Sequence, residues 1–401
     1  MHAVPISTPA PSALAAPLAD GAFYAGDPYP TYAELRRESP VAWCEPGGFW
    51  ALTSHAAVLA ASTDPATFCS RKGILAMEIG VEYATPPTMM HTDPPEHTAY
   101  RKLVAPGFRP SVIRRTAERV ATRTEEVLDR LPEATFDAVT ELAVPLPLLL
   151  IADVLGVPTD DLDRFFAWSE AAIPGESDME PAEQQRLMGE CWAYLLERCA
   201  ERRREPVEDL VSVLVHTELA GRSLSDDELV MFLNQLLIAG NETTRNAISG
   251  GLSAFAERPE QWQRLVDDPS LVDTAVEEIL RWTTPVISFL RTTTREVELE
   301  GQALPADAPV LLLYQSANRD EREFGPTASE FLVDRRPNHH LSFGFGAHFC
   351  IGAALARMEI ATLLRALLRR GWTPEARGEP VRTASPVIAG LRSLPLSFSR
   401  R

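Results

Sequence analysis

The residues of this sequence with the clearest chemical potential surround Cys350. The segment 343–352 reads FGFGAHFCIG, and a helix-like stretch, 353–360, follows it directly. A cysteine placed just before a helix lies close to backbone N–H groups and to the positive end of the helix dipole, which favours thiolate over thiol. A thiolate can act as a nucleophile or as a metal ligand. No Asn or Asp partner stands in a recognisable triad with Cys350 and His348, so the ligand interpretation is favoured.

Several interpretations of Cys350 compete. A free cysteine is most often an inert buried side chain. A zinc site would need partners, of which the nearest are His339, His340 and His348. No second Cys or His cluster completes a familiar zinc spacing, and a dinucleotide loop is excluded because Phe349 stands where a third glycine is required. Ligation of haem iron remains, since Gly344 and Gly346 permit sharp backbone bends and the flanking phenylalanines exclude water.

The pattern Phe-Gly-x-Gly-x-His-x-Cys-x-Gly resembles the cysteine-ligand loop of cytochrome P-450 monooxygenases, with every fixed position filled. Further motifs extend this resemblance from about residue 20 to the C-terminus. It implies a haem b whose iron is ligated by Cys350. It also implies a mainly α fold with small β-sheets, a triangular and helix-rich single domain that holds the haem between a long central helix and the helix after the cysteine. The cofactor-binding residues implied in the loop are Phe343, His348, Cys350 and Gly352.

A second motif could bind an anion. Asp93-Pro94-Pro95 predicts a helix that begins near Glu96. His97 and Arg101 would then lie on one helical face, where both can contact the same anion. The pair resembles the family's clamp on the haem propionates, and Arg291 matches a strand arginine that meets a propionate. With His348, these residues would neutralise two charges whose burial is otherwise unfavourable.

A long helix is predicted to cross the core. Ser225 and Glu228 form a capping box, and the pattern continues to about residue 257, before a proline. The polar segment 239–244, AGNETT, interrupts its apolar run, which requires partners or a function. A hydrogen bond from Thr243 to the carbonyl of Ala239 would open the helix beside a cavity.

This segment resembles the oxygen-activation segment of the family. The resemblance implies that Glu242 and Thr243 are catalytic and relay protons. It also implies that Ala239 and Gly240 lie against the haem.

Two further sets of residues are predicted to form a structural network and a substrate pocket. Glu278 and Arg281 are three apart on a predicted helix, and with Arg335 they resemble the family's Glu-Arg-Arg network, which forms the fold rather than the catalytic site. Candidate pocket positions are apolar and favour a hydrophobic ligand. They are Met77, Ile79, Leu236, Val286, Phe289, Val387 and Ile388. The irregular loop 71–90, which contains the first two, is long enough to indicate a function.

Composition limits the class of protein. The 401 residues carry a formal net charge of -18, which disfavours nucleic acid as a partner. Five cysteines without a CxxC pair are typical of a reduced, cytoplasmic protein. The longest apolar stretch, 142–152, contains two prolines and is too short to span a membrane. We expect a disordered tail over 1–20, one monomeric domain over 21–401, a hairpin over 41–52 and short strands at 297–299 and 309–313.

The resemblance implies insertion of one oxygen atom from O2 into a small hydrophobic substrate. Motif detail is most similar to actinobacterial groups that hydroxylate steroids and branched fatty chains. Two alternatives stay open, a haem-thiolate peroxygenase and a non-catalytic haem-binding protein. Electrons would come from a ferredoxin and its reductase, because the chain has no flavin, iron–sulfur or nicotinamide motif. The ferredoxin would dock on the cysteine side, where basic residues gather: Arg71, Lys72, Arg101, Lys102, Arg109, Arg114, Arg115 and Arg357.

Overall fold

Helices dominate the computed structural model, which describes residues 12–83, 88–108, 110–156, 158–171, 179–207, 209–219 and 221–400. The α-helices are α1 (Gly21–Ala25), α2 (Tyr29–Glu38), α3 (His55–Thr63), α4 (Glu96–Val104), α5 (Pro110–Arg130), α6 (Pro145–Leu155), α7 (Leu162–Ala171), α8 (Pro181–Arg204), α9 (Leu210–Val215), α10 (Asp226–Glu257), α11 (Pro259–Asp267), α12 (Val272–Thr283), α13 (Tyr314–Ala317), α14 (Glu321–Phe324) and α15 (Ala353–Arg369). The mainly helical class predicted from the sequence is confirmed.

The strands are short, as predicted. They are β1 (Val41–Cys44), β2 (Phe49–Leu52), β3 (Phe68–Cys69), β4 (Phe136–Asp137), β5 (Glu218–Leu219), β6 (Arg222–Ser223), β7 (Ser288–Thr293), β8 (Val297–Leu299), β9 (Gln302–Leu304), β10 (Pro309–Leu313), β11 (Trp372–Ala376), β12 (Val381–Arg382), β13 (Leu391–Ser393) and β14 (Pro395–Arg400). The largest sheet has the order β1-β2-β10-β7-β3. The β1-β2 hairpin pairs antiparallel, β10 runs parallel to β2, and β7 pairs antiparallel with β10. This sheet places β7, which carries Arg291, at its interior.

The helix α10 crosses the core. Ser225 and Glu228 form the predicted capping box at its N-terminus, with hydrogen bonds of 2.8 and 3.2 Å. Its first half, from Leu229 to Leu237, packs in an apolar cluster with α7, α8 and α9, and its second half, from Ala247 to Phe255, packs in a cluster with α12 and α15. Each fully buried Leu or Phe contributes about 1.5–3 kcal/mol. The polar segment 239–246 therefore lies between two well-packed halves.

A buried ion network holds the chain that leads to Cys350. Glu278 accepts from Arg281 at 2.8 Å and from Arg335 at 3.0 Å, and none of the three side chains is more than 6% exposed. Arg281 also donates to the carbonyls of Asn318 and Ala328, each at 2.8 Å. The predicted Glu-Arg-Arg network is confirmed, and it fixes the segment before the cysteine loop against α12.

The prediction of a disordered tail over residues 1–20 is wrong for residues 12–20. This stretch contains a 3-10 helix, Ala16–Ala19, and Leu18 is fully buried. Ser12 donates its backbone N–H to Trp43 at 3.2 Å. The Pro- and Ala-rich composition suggested disorder, but Leu18 packs in one cluster with Tyr24 and other aromatic side chains, which compensates the cost of ordering. Residues 1–11 lie outside the described part.

The described part contains no helix that combines the length and apolarity needed to cross a membrane.

Candidate active site

Two glycines determine the backbone conformation of the cysteine loop. Gly344 and Gly346 adopt φ values of 66° and 70°, a left-handed conformation that favours glycine. A Cβ on Gly346 would also lie 2.3 Å from the carbonyl oxygen of Ser62, which no side chain could tolerate. The N–H of Cys350 donates to the carbonyl of Phe343 at 2.8 Å and closes the loop. The thiol is thereby held immediately before α15.

Cys350 is the exposed cysteine of the chain, whereas the other four are buried. The protein that surrounds the thiol raises its pKa, while the N–H groups of Gly352 and Ala353 and the guanidinium groups of Arg101 and Arg357 lower it. The sulfur is thus enclosed on most sides and accessible on the remaining one. Such a thiol is suited to a metal ion, which would stabilise the thiolate directly.

Cationic and imidazole groups converge beside the loop. The rings of His97 and His348 lie 4.0 Å apart, and Ser70 Oγ is 3.2 Å from His348 Nε2. Arg291 is buried and donates to the carbonyl of Leu290 at 2.7 Å. Ser70 was not predicted, because 278 residues separate it from its partner.

The electrostatics of this cluster favour an anionic ligand. Burial first, and then Arg101 and Arg291, lower the pKa of His97 to about 4, although Asp93 opposes this change. Burial, and then Arg291, His97 and Arg101, lower the pKa of His348 to about 2. Within the described residues no carboxylate hydrogen-bonds to any of these four side chains. The cluster therefore fits an anionic group such as the propionates of haem.

The middle of α10 is partly accessible to solvent. Ala239 is exposed, whereas Leu237, Asn241 and Glu242 close to it in the chain are buried. Thr243 Oγ1 donates to the Ala239 carbonyl at 2.8 Å, which confirms the predicted bond. On the neighbouring face, a Cβ at Gly240 would lie 3.1 Å from Ile151 Cδ1, so a glycine allows close helix packing there. The helix α10 also packs against α15, which begins directly after the cysteine loop.

Glu242 is enclosed by polar side chains of α10 and α7. Its carboxylate is buried, pairs with Arg245 and accepts from Asn246 at 3.1 Å. Arg245 also donates to Glu170 of α7 at 2.6 Å. Burial raises the pKa of Glu242, Arg245 opposes this rise, and Glu170 supports it. No hydrogen bond joins Glu242 to Thr243, so the structure places the two predicted catalytic residues side by side but in different environments.

Sequence reasoning missed the partners of Glu242. Arg245 and Asn246 stand three and four residues after it, a helical spacing that could have indicated the contact. Glu170 had no such signal, because it belongs to another helix. A parallel contact from Asn241 to Ser169, at 2.6 Å, joins the same two helices.

The predicted pocket residues are only partly brought together. Val286 and Ile388 form an isolated β-bridge, and the N–H of Ile287 donates to the carbonyl of Val387 at 2.8 Å. Phe289 follows on β7, while Leu236 and Ile79 are partly buried in two different apolar clusters. Met77 lies on the 3-10 turn Ala76–Glu78 with 54% of its surface exposed, so its place in the pocket stays a prediction.

Three residues of the predicted basic surface are paired with carboxylates. Arg71 pairs with Asp93 at 2.9 Å, Lys72 with Asp307 at 2.5 Å, and Arg357 with Glu277 at 2.7 Å. Lys102 is exposed and forms no ion pair with the described residues. The side chains of Arg109, Arg114 and Arg115 lie outside the described part.

Comparisons with known proteins agree with this geometry. The family model for cytochrome P-450 matches residues 263–383. The chain is 37% identical to a steroid C26-monooxygenase of Mycolicibacterium smegmatis, covering 95% of this chain and 96% of the relative. It is 38% identical to a methyl-branched lipid omega-hydroxylase of Mycobacterium bovis, covering 92% and 90%.

Solved structures give the same result. A cytochrome P-450 of Mycobacterium marinum in complex with pseudoionone superposes with a TM-score of 0.89 at 32% identity, covering 98% of this chain and all of the other. A cytochrome P-450 of Bacillus megaterium in complex with testosterone has a TM-score of 0.83 at 32% identity, covering 93% and 98%. From the accessible cysteine, the anion-binding cluster and these full-length similarities, we conclude that the chain belongs to the cytochrome P-450 family of monooxygenases, whose haem iron is ligated by cysteine.

Proposed function

We propose that this enzyme hydroxylates a steroid or a branched-chain lipid. The observation that supports the chemistry best is the exposed Cys350 directly before α15, together with the Thr243 bond in α10, the helix that packs against α15. The substrate class is supported by the apolar side chains around the Val286–Ile388 bridge and by the two relatives that act on steroids and methyl-branched lipids.

The overall reaction consumes substrate, O2, two electrons and two protons, and yields the hydroxylated product and water. Bound haem supplies the activation of O2 and the transfer of one oxygen atom to a C–H bond. In the proposal, Cys350 ligates the iron, while Phe343, Gly352, Ala239 and Gly240 line the haem. The two propionates are bound by His97, Arg101, Arg291 and His348.

Two residues of α10 would handle the protons. The hydroxyl oxygen of Thr243 can accept a hydrogen bond because its proton is directed to Ala239. Glu242 has a raised pKa because it is buried, which makes its carboxyl group a better proton donor and acceptor than a solvent-exposed carboxylate. Since Glu242 pairs with Arg245, delivery to Thr243 requires that carboxylate to leave Arg245 or to act through water.

The remaining parts of the proposal concern the electron donor, the cellular location and the oligomeric state. We propose that a ferredoxin and its reductase deliver the electrons to the cysteine side. We further propose a cytoplasmic monomer, a location supported by five cysteines that are all free thiols.

The test is a spectral titration of the purified haem protein. Testosterone, a methyl-branched fatty acid and an aromatic compound of similar size are added in turn, and the shift of the haem absorbance that accompanies loss of iron-bound water is recorded. We expect the steroid or the branched acid to bind, with hydroxylated product when ferredoxin, reductase and NAD(P)H are added. Turnover with peroxide but not with the redox partners would instead establish a peroxygenase.

The ligand assignment has its own variant. Cys350→Ser should abolish the thiolate-type absorbance of the reduced carbon monoxide complex, whereas Cys199→Ser, which alters a buried cysteine of α8, should retain it. A thiolate-type spectrum in Cys350→Ser would overturn the assignment.

A further inference from the structure

The partly buried carboxylate of Glu78 connects two segments of the chain that have no part in the proposed proton and haem chemistry. Glu78 lies on the 3-10 turn Ala76–Glu78, and its side chain is 14% exposed. Its Oε2 accepts from the backbone N–H groups of Ile74 at 2.7 Å and Leu75 at 3.0 Å. The same carboxylate lies 3.1 Å from Nε2 of His91, which is itself buried. Glu78 therefore joins the segment 73–83 to the segment 88–92.

The other contacts of His91 complete this arrangement. Its Nδ1 is 2.9 Å from Thr88 Oγ1, and the ring of Tyr83 packs edge-on at 5.4 Å. Burial alone would raise the pKa of Glu78, but hydrogen bonds from His91 and from the N–H groups of Ile74 and Leu75 lower it to about 2. These partners therefore stabilise the ionised form of the carboxylate. Removing it would leave the N–H groups of Ile74 and Leu75 and the Nε2 of His91 without this partner.

Both segments are attached next to residues of the proposed pocket. The carbonyl of Ile74 accepts from the N–H of Leu290 at 2.6 Å, between Phe289 and Arg291 on β7. The N–H of Met89 donates to Gln235 of α10 at 3.1 Å, and Gln235 directly precedes Leu236. Displacement of either segment would therefore shift residues of β7 or α10 that are expected to contact the substrate.

We propose that Glu78 is a positioning residue for the substrate: by joining 73–83 to 88–92 it sets the wall of the pocket between β7 and α10. This inference rests on the proposed function, because it assigns a role toward the substrate of that site. It predicts that loss of Glu78 weakens binding of large apolar ligands while leaving the iron accessible and the haem in place.

The chain offers a matched control. Glu82 lies four residues after Glu78 in the same segment and is exposed. Glu78→Ala removes the acceptor, Glu78→Gln retains one acceptor oxygen without the charge, and Glu82→Ala removes a carboxylate that faces solvent. All three are compared with the wild-type haem protein.

Hydrogen–deuterium exchange measures the first half of the proposal. In Glu78→Ala we expect exchange of the Ile74 and Leu75 amides to rise at least tenfold, because their hydrogen bonds are lost, with a smaller rise in Glu78→Gln and none in Glu82→Ala. Equal exchange in Glu78→Ala and Glu82→Ala would overturn the positioning role.

Ligand binding measures the second half. We expect dissociation constants for testosterone and dodecanoic acid to rise about tenfold in Glu78→Ala and to be unchanged in Glu82→Ala. Imidazole, which is small and binds the iron, should bind all variants equally. Unchanged testosterone and dodecanoate binding, or an equal loss for imidazole, would contradict a role toward substrate. If the wild type binds neither testosterone nor the methyl-branched fatty acid of the spectral titration, the proposed substrate class is wrong, and the exchange data alone decide whether Glu78 holds the two segments.

Discussion

The hydroxyl of Thr243 combines a structural and a chemical role. It donates to the carbonyl of Ala239, four residues earlier in α10, and its oxygen can still accept a hydrogen bond. We expect Thr243→Ala to bind substrate normally but to lower the product formed per electron consumed by at least about tenfold, because a positioned proton donor is lost and the electrons are diverted to peroxide. The measurement compares NAD(P)H consumed, peroxide released and product formed.

Thr243→Ser is the matched control for this change, because it retains the hydroxyl. It should recover most of the coupling. A Thr243→Ala enzyme with wild-type yield per electron would show that Thr243 has no role in proton delivery.

Glu359 makes stability depend on pH. It lies within α15, is 3% exposed, and burial raises its pKa to about 8. The folded chain therefore keeps this proton to higher pH than the unfolded chain, in which a glutamic acid ionises near pH 4.3. Between these values the folded state binds more protons, so the contribution of Glu359 to the free energy of unfolding decreases as pH rises, by at most about 1.4 kcal/mol per pH unit.

We expect Glu359→Gln to remove this dependence. The variant should gain stability relative to the wild type as pH rises from about 5 to 8, measured by denaturant unfolding of the haem protein. Parallel pH profiles for the two proteins would show that Glu359 does not ionise within this range.

The Glu278, Arg281 and Arg335 network shows how one element positions another. It fixes the segment before the cysteine loop to α12, so the loop depends on contacts that are far from the haem. Arg335→Ala leaves part of the charge of Glu278 without its partner in a buried site, and we expect a loss of about 3–5 kcal/mol with reduced haem retention. Thermal unfolding and the haem content after purification measure these effects.

Arg336→Ala is the control, because Arg336 is exposed and directly follows Arg335. It should change stability by less than about 0.5 kcal/mol. Similar losses for both variants would mean that the network does not specifically support the loop.

The surface of the whole molecule limits how a redox partner can approach. The net charge of -18 repels an acidic ferredoxin, and three of the predicted basic contacts are already paired with carboxylates. Lys102, exposed beside Arg101 on α4, is the better candidate. We expect Lys102→Glu to slow electron transfer from an acidic ferredoxin about tenfold at low salt, with a smaller difference at high salt, where charges are screened.

Lys72→Glu tests whether a lysine that is already paired with a carboxylate contributes less to docking than Lys102. Lys72 pairs with Asp307, so its reversal should slow electron transfer less than Lys102→Glu does. Substrate affinity should be unaffected in both variants. Rates that respond to neither substitution nor to salt would exclude docking at this surface.

The sequence alone determined those parts of the protein whose signals are local. The cysteine loop was recognisable because its glycines permit left-handed φ values and its cysteine directly precedes a helix. The start of α10 followed from a capping box, and the Thr243 bond from a spacing of four residues. Hairpin and strand positions followed from turn residues. Each of these depends on neighbours in the chain, so spacing and composition were sufficient.

The tertiary structure alone decided which distant groups meet. The pairing of Glu170 with Arg245, of Ser70 with His348 and of Lys72 with Asp307 joins residues on separate elements, and no periodicity in the sequence indicates such contacts. Burial of Leu18 likewise depends on side chains that arrive from α1 and α2. Because the energy of a charge or an apolar group depends on what surrounds it, the basic surface and the N-terminal tail were predicted less well than the haem-binding loop.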